Sequence, residues 1–144
     1  DLALIAGEPD SEALLERFLG SAPGLNGEFW ILPESIRLKY AYVLARRGET
    51  GRAAPLMDEA IRVAKESLDQ GNEFPRPRME IAAIHALRQQ KEPALEWLQK
   101  AYEAGWREPR TMARDPMFSG LRQEPKFKEL IVRMNRDIAT MRER

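Results

Sequence analysis

Two small residues seven positions apart, set in an otherwise bulky helical run, occur three times in this 144-residue chain. In "EPALEWLQKAYEAGW", residues 92 to 106, they are Ala94 and Ala101 with Leu98 between them. In "RRGETGRAAPLMDEAIRVAKES" they are Ala53 and Ala60 around Met57, and in "AGEPDSEALLERFLG" they are Ala13 and Gly20. The copies are offset by 40 and 41 residues. A recurrence in the range of about 20 to 50 residues is the mark of stacked helical units that bury a face against their neighbours. Small residues at such positions let two helices cross closely, where a larger side chain would hold the backbones apart.

A second helical pattern precedes each of the two clearer copies. In "PESIRLKYAYVLARRG" the residues Ile36, Tyr40, Val43 and Leu44 advance by threes and fours, the period of an amphipathic helix. Pro33 and Glu34 suit its first turn and Gly48 suits its end. In "PRMEIAAIHALRQQ" the residues Ile81, Ile84, His85 and Leu87 form a similar stripe. The unit is therefore helix, short turn, helix, and helices are expected near 10–20, 34–47, 51–69, 77–90, 92–104 and 125–141.

On these residues the chain resembles the tetratricopeptide repeat family. The first full copy supplies Tyr40, Ala41 and Leu44, then Ala53, Met57 and Ala60; the second supplies Ile81, Ala82 and His85, then Ala94, Leu98 and Ala101. The family's early tryptophan is Arg37 or Arg78 here, and the period exceeds the family's usual ~34 residues. The extra length falls in "GSAPGLNGEFWILP" and "SLDQGNEFPRPR", which are rich in turn formers. The resemblance implies an all-α, right-handed α-solenoid of helix pairs with a C-terminal capping helix. It would form a single domain over 1–144: a partial repeat at 1–20, repeats at 34–69 and 77–104, and a capping segment at 107–144.

Beyond Gly105 the pattern changes. In "RDPMFSGLRQEPKFKEL" an acidic residue precedes proline twice, at Asp115 and at Glu124, and both sites read as helix starts. The last helix carries Phe127, Leu130, Ile131, Met134, Ile138 and Met141 along one side, as a lid on the final repeat requires. Steps of four and three from Phe127 through Ile131, Met134 and Ile138 to Met141 also match a short coiled-coil seam, which predicts a monomer or a weak dimer. The ending is similar to that of tetratricopeptide modules attached to bacterial transcription regulators, protein kinases and hydrolases, which implies an accessory module of a larger protein. The opening "DLALIAG", with neither an initiator methionine nor a basic leader, also reads as a piece of something longer.

The chemistry classes can be narrowed from composition. Without cysteine there are no disulfides, thiolate nucleophiles or zinc-thiolate sites, a composition that suits periplasm and cytoplasm alike. The one histidine, His85, cannot build a two-histidine metal site and reads as a packing residue at an aromatic position of the repeat. "PGLNGE" lacks the flanking features of a phosphate loop, and Asp58 and Glu59 diverge on a helix, so no cofactor, metal or catalytic group is expected. Net charge is zero, although residues 1–74 carry −5 and residues 75–144 carry +5. Nucleic acid is not an expected partner, since Arg76 and Arg78 beside Phe74 form only a small basic patch. No run approaches the ~18 apolar residues of a membrane span.

What remains is a protein-interaction scaffold, not an enzyme. The resemblance places peptides along the inner side built by the first helix of each pair, which nominates Leu38, Tyr42, Arg46, Met79 and Ala83 as partner-binding residues. Their composition suits an apolar or helical segment of a partner better than a carboxylate clamp. The alternative is an intramolecular structural or regulatory module holding another domain of the same chain, with no diffusible ligand. Phe29 and Trp30, in a long loop beside Ile31 and Leu32, are candidates for packing on the first repeat or for partner contact.

Overall fold

In the computed structural model the described residues run from Glu34 to Glu143, with side chains from Leu38 onward, and every regular element among them is helical. The order is α1 (Glu34–Arg46), α2 (Thr50–Asp69), α3 (Arg76–Leu87), α4 (Lys91–Glu103), α5 (Pro109–Arg114), a 3-10 helix (Pro116–Leu121) and α6 (Pro125–Arg142). The helix expected at 10–20, with Ala13 and Gly20, and the aromatics Phe29 and Trp30 lie outside the described residues. The chain divides into two compact units, residues 1–60 and 61–144, and the division falls inside α2 after Ala60.

Helix ends are set by local chemistry. Gly48 takes φ +77°, its N–H bonds to the Ala45 carbonyl at 3.1 Å, and the Glu49 N–H reaches back to the Leu44 carbonyl at 2.9 Å. This paired closure, which needs a left-handed residue just past the helix, stops α1. Gly105 ends α4 in the same way, with the Trp106 N–H on the Ala101 carbonyl at 2.9 Å. At the end of α3 the left-handed position falls to Gln89, at φ 60°, and Gln90 N–H closes on the His85 carbonyl at 2.9 Å. That closure ends α3 at Leu87, three residues before the expected 90.

In the first unit, the five successive residues from Tyr40 to Leu44 are all buried. Five residues sweep more than a full turn, so this stretch of α1 is buried all round instead of presenting one apolar stripe. The facing residues of α2, Ala53, Leu56, Met57 and Ala60, are buried as well. Arg52 ties the pair together: one guanidinium nitrogen donates to the Tyr40 hydroxyl at 2.8 Å and another to Glu49 at 2.7 Å.

The second unit is built on α3, which packs against α4 and against the 3-10 helix; α6 in turn packs on α4 and α5. Ile81, Ala82 and Ile84 of α3 and Ala94, Leu98 and Ala101 of α4 have no exposed surface. With Ala41, Ala53 and Ala60 buried in the first unit, all six alanines expected at helix crossings are interior. Phe118 and Phe127 meet with ring centroids 6.2 Å apart and join the 3-10 helix to α6.

The tail differs from the sequence expectation in one element. Proline at 116 disfavours the helical region for Asp115, which sits at ψ 121°, so the helical run from Pro109 breaks there and resumes as a 3-10 helix. Asp115 caps the new start by accepting the Met117 N–H at 2.9 Å. Glu124 precedes Pro125 with similar geometry, but its carboxylate makes no cap; it takes Lys91 of α4 instead, at 3.1 Å.

Candidate partner-binding surface

Four of the five nominated residues offer little surface. Leu38 and Tyr42 in the first unit and Met79 and Ala83 in the second are buried, whereas Arg46 is exposed. The reason is the enclosure of the first helices: α3 carries four consecutive buried residues, Ile81 to Ile84, for want of an open side. Arg46 lies with its guanidinium carbon 6.0 Å from the centre of the Tyr42 ring. The Tyr42 hydroxyl is buried with no hydrogen-bond partner among the described residues. His85, read as a packing residue, is half-buried, and its Nδ1 lies 2.7 Å from Gln90 Oε1 across the turn into α4.

The open surface belongs to the second helices. Four cross-links join α4 to α6 and its N-cap: Lys91 to Glu124, Lys126 to Glu92, Arg133 to Gln99, and Tyr102 to Asp137. Their sequence separations are 33, 34, 34 and 35. Partners that rise together at a nearly constant offset require two parallel helices in fixed register. A groove of about 520 Å³ runs along their seam, with Leu95 and Leu130 at its base. The α4 wall is Glu96, Gln99, Lys100 and Glu103; the α6 wall is Lys126, Glu129 and Arg133.

Two of the three cations of this groove, Lys100 and Arg133, are held in place by aromatic rings. Lys100 Nζ stands 4.2 Å from the centre of the Trp97 ring, and the Arg133 guanidinium carbon stands 4.8 Å from that of Tyr102. Tyr102 also carries the Arg107 guanidinium at 4.1 Å and donates its hydroxyl to Asp137 Oδ2 at 2.7 Å. Arg107 Nε lies 3.0 Å from the same carboxylate oxygen, an ion pair without hydrogen-bond alignment. Ring contacts of this kind contribute about 0.5–1 kcal/mol each at exposed sites and, more to the point here, fix where the charge sits. Glu96 and Glu129, by contrast, pair with no side chain among the described residues.

A second cavity of about 380 Å³ lies between the start of α5 and the end of α6, where Arg107, Arg110 and Arg142 surround Pro109, Ile138 and Ala139. The expected coiled-coil seam is largely internal: Phe127 and Met134 are buried, Ile131 and Ile138 half-buried, and Met141 alone stands out, at 60 % exposed. Among the described residues no helix is long and apolar enough to cross a membrane, and no cluster of three histidine or carboxylate side chains could hold a metal.

Sequence reasoning missed Glu96, Lys100, Glu129 and Arg133. The available signal was an acid followed four residues later by a base in both helices, at 96 and 100 and again at 129 and 133. No protein-family model, curated protein or solved structure matches the chain.

Proposed function

We propose that this chain is a helical-repeat interaction module of tetratricopeptide type, a right-handed stack of helix pairs that docks a helical segment and performs no catalysis. The observation that carries this reading is the groove between α4 and α6, with leucines at its base and charged side chains along both walls. Short amphipathic helices are recognised by such grooves, through apolar anchors at helical spacing with polar contacts at the rim. The fixed 34-residue register of α4 and α6 supports the repeat assignment, since it equals the family's usual period. In that reading α5 and the 3-10 helix stand in for the first helix of a last pair, and α6 for its second.

The solvent side of α6 fits a terminal position in such a stack. Lys128, Arg136 and Thr140 are exposed there, interrupted by Val132. A polar outer face of this sort ends a stack without leaving an apolar surface open. The occupant of the groove belongs to a separate protein or to another domain of the same polypeptide; the chemistry is shared.

A selection from a display library of helical 18-residue peptides tests the proposal. Binders are expected to be enriched, with dissociation constants in the micromolar range typical of small transient interfaces. They should lose about tenfold or more in affinity for Gln99→Trp, which fills the groove from the half-exposed wall. A library that yields no binder, or binders indifferent to Gln99→Trp in a variant shown by circular dichroism to be folded, refutes the assignment.

A further inference from the structure

Three guanidinium groups line the cavity of about 380 Å³ between the start of α5 and the end of α6: Arg107 precedes α5, Arg110 lies within it and Arg142 ends α6. Arg107 is fixed. Its Nη1 donates to the Tyr102 and Trp106 carbonyls at 2.7 and 2.8 Å, its Nε lies 3.0 Å from Asp137 Oδ2, and its guanidinium carbon rests 4.1 Å from the Tyr102 ring centre. Its Nη2 has no partner among the described residues. Arg110 and Arg142 are exposed and pair with no side chain among the described residues.

The charges around the cavity select a monoanion. Glu108 is the one acid in the lining, where Thr111 and Asn135 are uncharged. Asp137, which is not part of the lining, offsets Arg107. Three positive charges against these two negative ones leave a surplus of one. The last carbonyls of α6 add partial negative charge beside Arg142. A carboxylate matches that surplus, whereas a phosphate monoester, at about −1.5 to −2 near pH 7, exceeds it. Pro109, Ile138 and Ala139 supply apolar lining, which suits a ligand with an apolar body. The volume lies at the lower end of the range for small-molecule sites, about 300–1,000 Å³.

We propose that this cavity binds a small organic monocarboxylate. The apolar body of the ligand rests on Pro109, Ile138 and Ala139, and its carboxylate accepts hydrogen bonds from Arg110 and Arg142, with Nη2 of Arg107 as the fixed donor. A guanidinium presents two parallel N–H groups that match the two oxygens of a carboxylate, which a point charge such as lysine does not. The bound anion also offsets the repulsion between like charges gathered on one cavity. The site shares no lining residue with the α4–α6 groove, so it stands whatever that groove binds.

Three probes with a common phenyl body and different head groups test the site: 3-phenylpropionate, 3-phenylpropanol and 2-phenylethyl phosphate, each titrated into the full chain and followed by methyl NMR. The Ile138 methyls should shift with 3-phenylpropionate at a dissociation constant on the order of 1 mM, as expected for so small a ligand. The alcohol should bind at least about tenfold more weakly, and the phosphate no more tightly than the acid. The double variant Arg110→Gln, Arg142→Gln changes two exposed side chains and leaves the contacts of Arg107 intact, so it should remain folded by circular dichroism. It should lose about tenfold in affinity for the acid and none for the alcohol. Glu108→Gln, which removes the one acid of the lining, should tighten binding of the acid by about threefold. Raising salt to about 1 M, where the screening length is roughly 3 Å, should weaken it. Equal binding of acid and alcohol would reduce the cavity to an apolar one and overturn the proposal, as would tighter binding of the phosphate or a double variant that holds its affinity. No shift at Ile138 up to about 20 mM acid, or shifts confined to the Leu95 and Leu130 methyls of the groove, would also overturn it.

Discussion

Replacing Ala101 with leucine asks whether the recurrent alanines mark close packing. Ala101 has no exposed surface and lies on α4, which packs against both α3 and α6. Leucine adds three carbons. If the site had room for them, their burial would stabilise the fold by about 2.4 kcal/mol at ~0.8 kcal/mol per carbon. In a filled contact the same atoms force off-rotamer side chains and backbone shifts, at about 1–3 kcal/mol of destabilisation. The sign of the change thus reports the closeness of the crossing, and its size is large enough to read. With about 2–4 °C per kcal/mol for a chain of this size, the calorimetric Tm should fall by roughly 2–12 °C. Ala54→Leu, at an exposed position of α2, serves as control and should stay within about 0.5 kcal/mol of the parent. A leucine at 101 that raises Tm, or leaves it where the control lies, refutes the reasoning.

Three further substitutions test local features. Gln89→Gly should stabilise the chain by about 0.5–1 kcal/mol in urea titration, because it relieves a left-handed residue that has a Cβ; a loss of stability would mean the Gln89 side chain does more than tolerate its φ of 60°. Tyr42→Phe keeps the ring beside Arg46 and removes a buried hydroxyl without a partner, so unfolding free energy should hold or rise by up to about 1 kcal/mol, and a clear fall would reveal a bond to that oxygen. Asp115 is held above its ordinary carboxyl pKa of 3.8 mainly by burial, against the opposing pull of the Met117 N–H and of Arg122. The folded chain therefore favours the protonated form, whose contribution is complete below pH 3.8 and is lost as pH rises through the raised value. Asp115→Asn, which keeps a cap acceptor and cannot ionise, should match the parent in Tm near pH 3 and exceed it at pH 7, whereas Asp115→Ala should lose about 1 kcal/mol near pH 3 and less than that at pH 7. An asparagine variant with the parent's full pH profile would contradict the assignment.

The helical character of the chain and the approximate bounds of five helices followed from period and punctuation alone. Those features depend on φ/ψ preferences a few residues long: Gly48 and Gly105 take the left-handed turns that close α1 and α4, and Pro116 disfavours the helical region for Asp115. The interior alanines were legible for a related reason, since a small residue recurring at fixed spacing records a crossing whatever its partner. The sequence carried less about which faces stay open. Leu38, Tyr42, Met79 and Ala83 have the helical spacing of a binding face, yet they are buried, because a helix stripe shows only its own period and not the elements that cover it. Pro109–Arg114 is too short to show a period at all. The groove itself lay beyond local reading. Glu96, Lys100, Glu129 and Arg133 become one surface only because α4 and α6 are held parallel and in step across separations of 33 to 35 residues, and such pairing is decided by tertiary packing that no local pattern records.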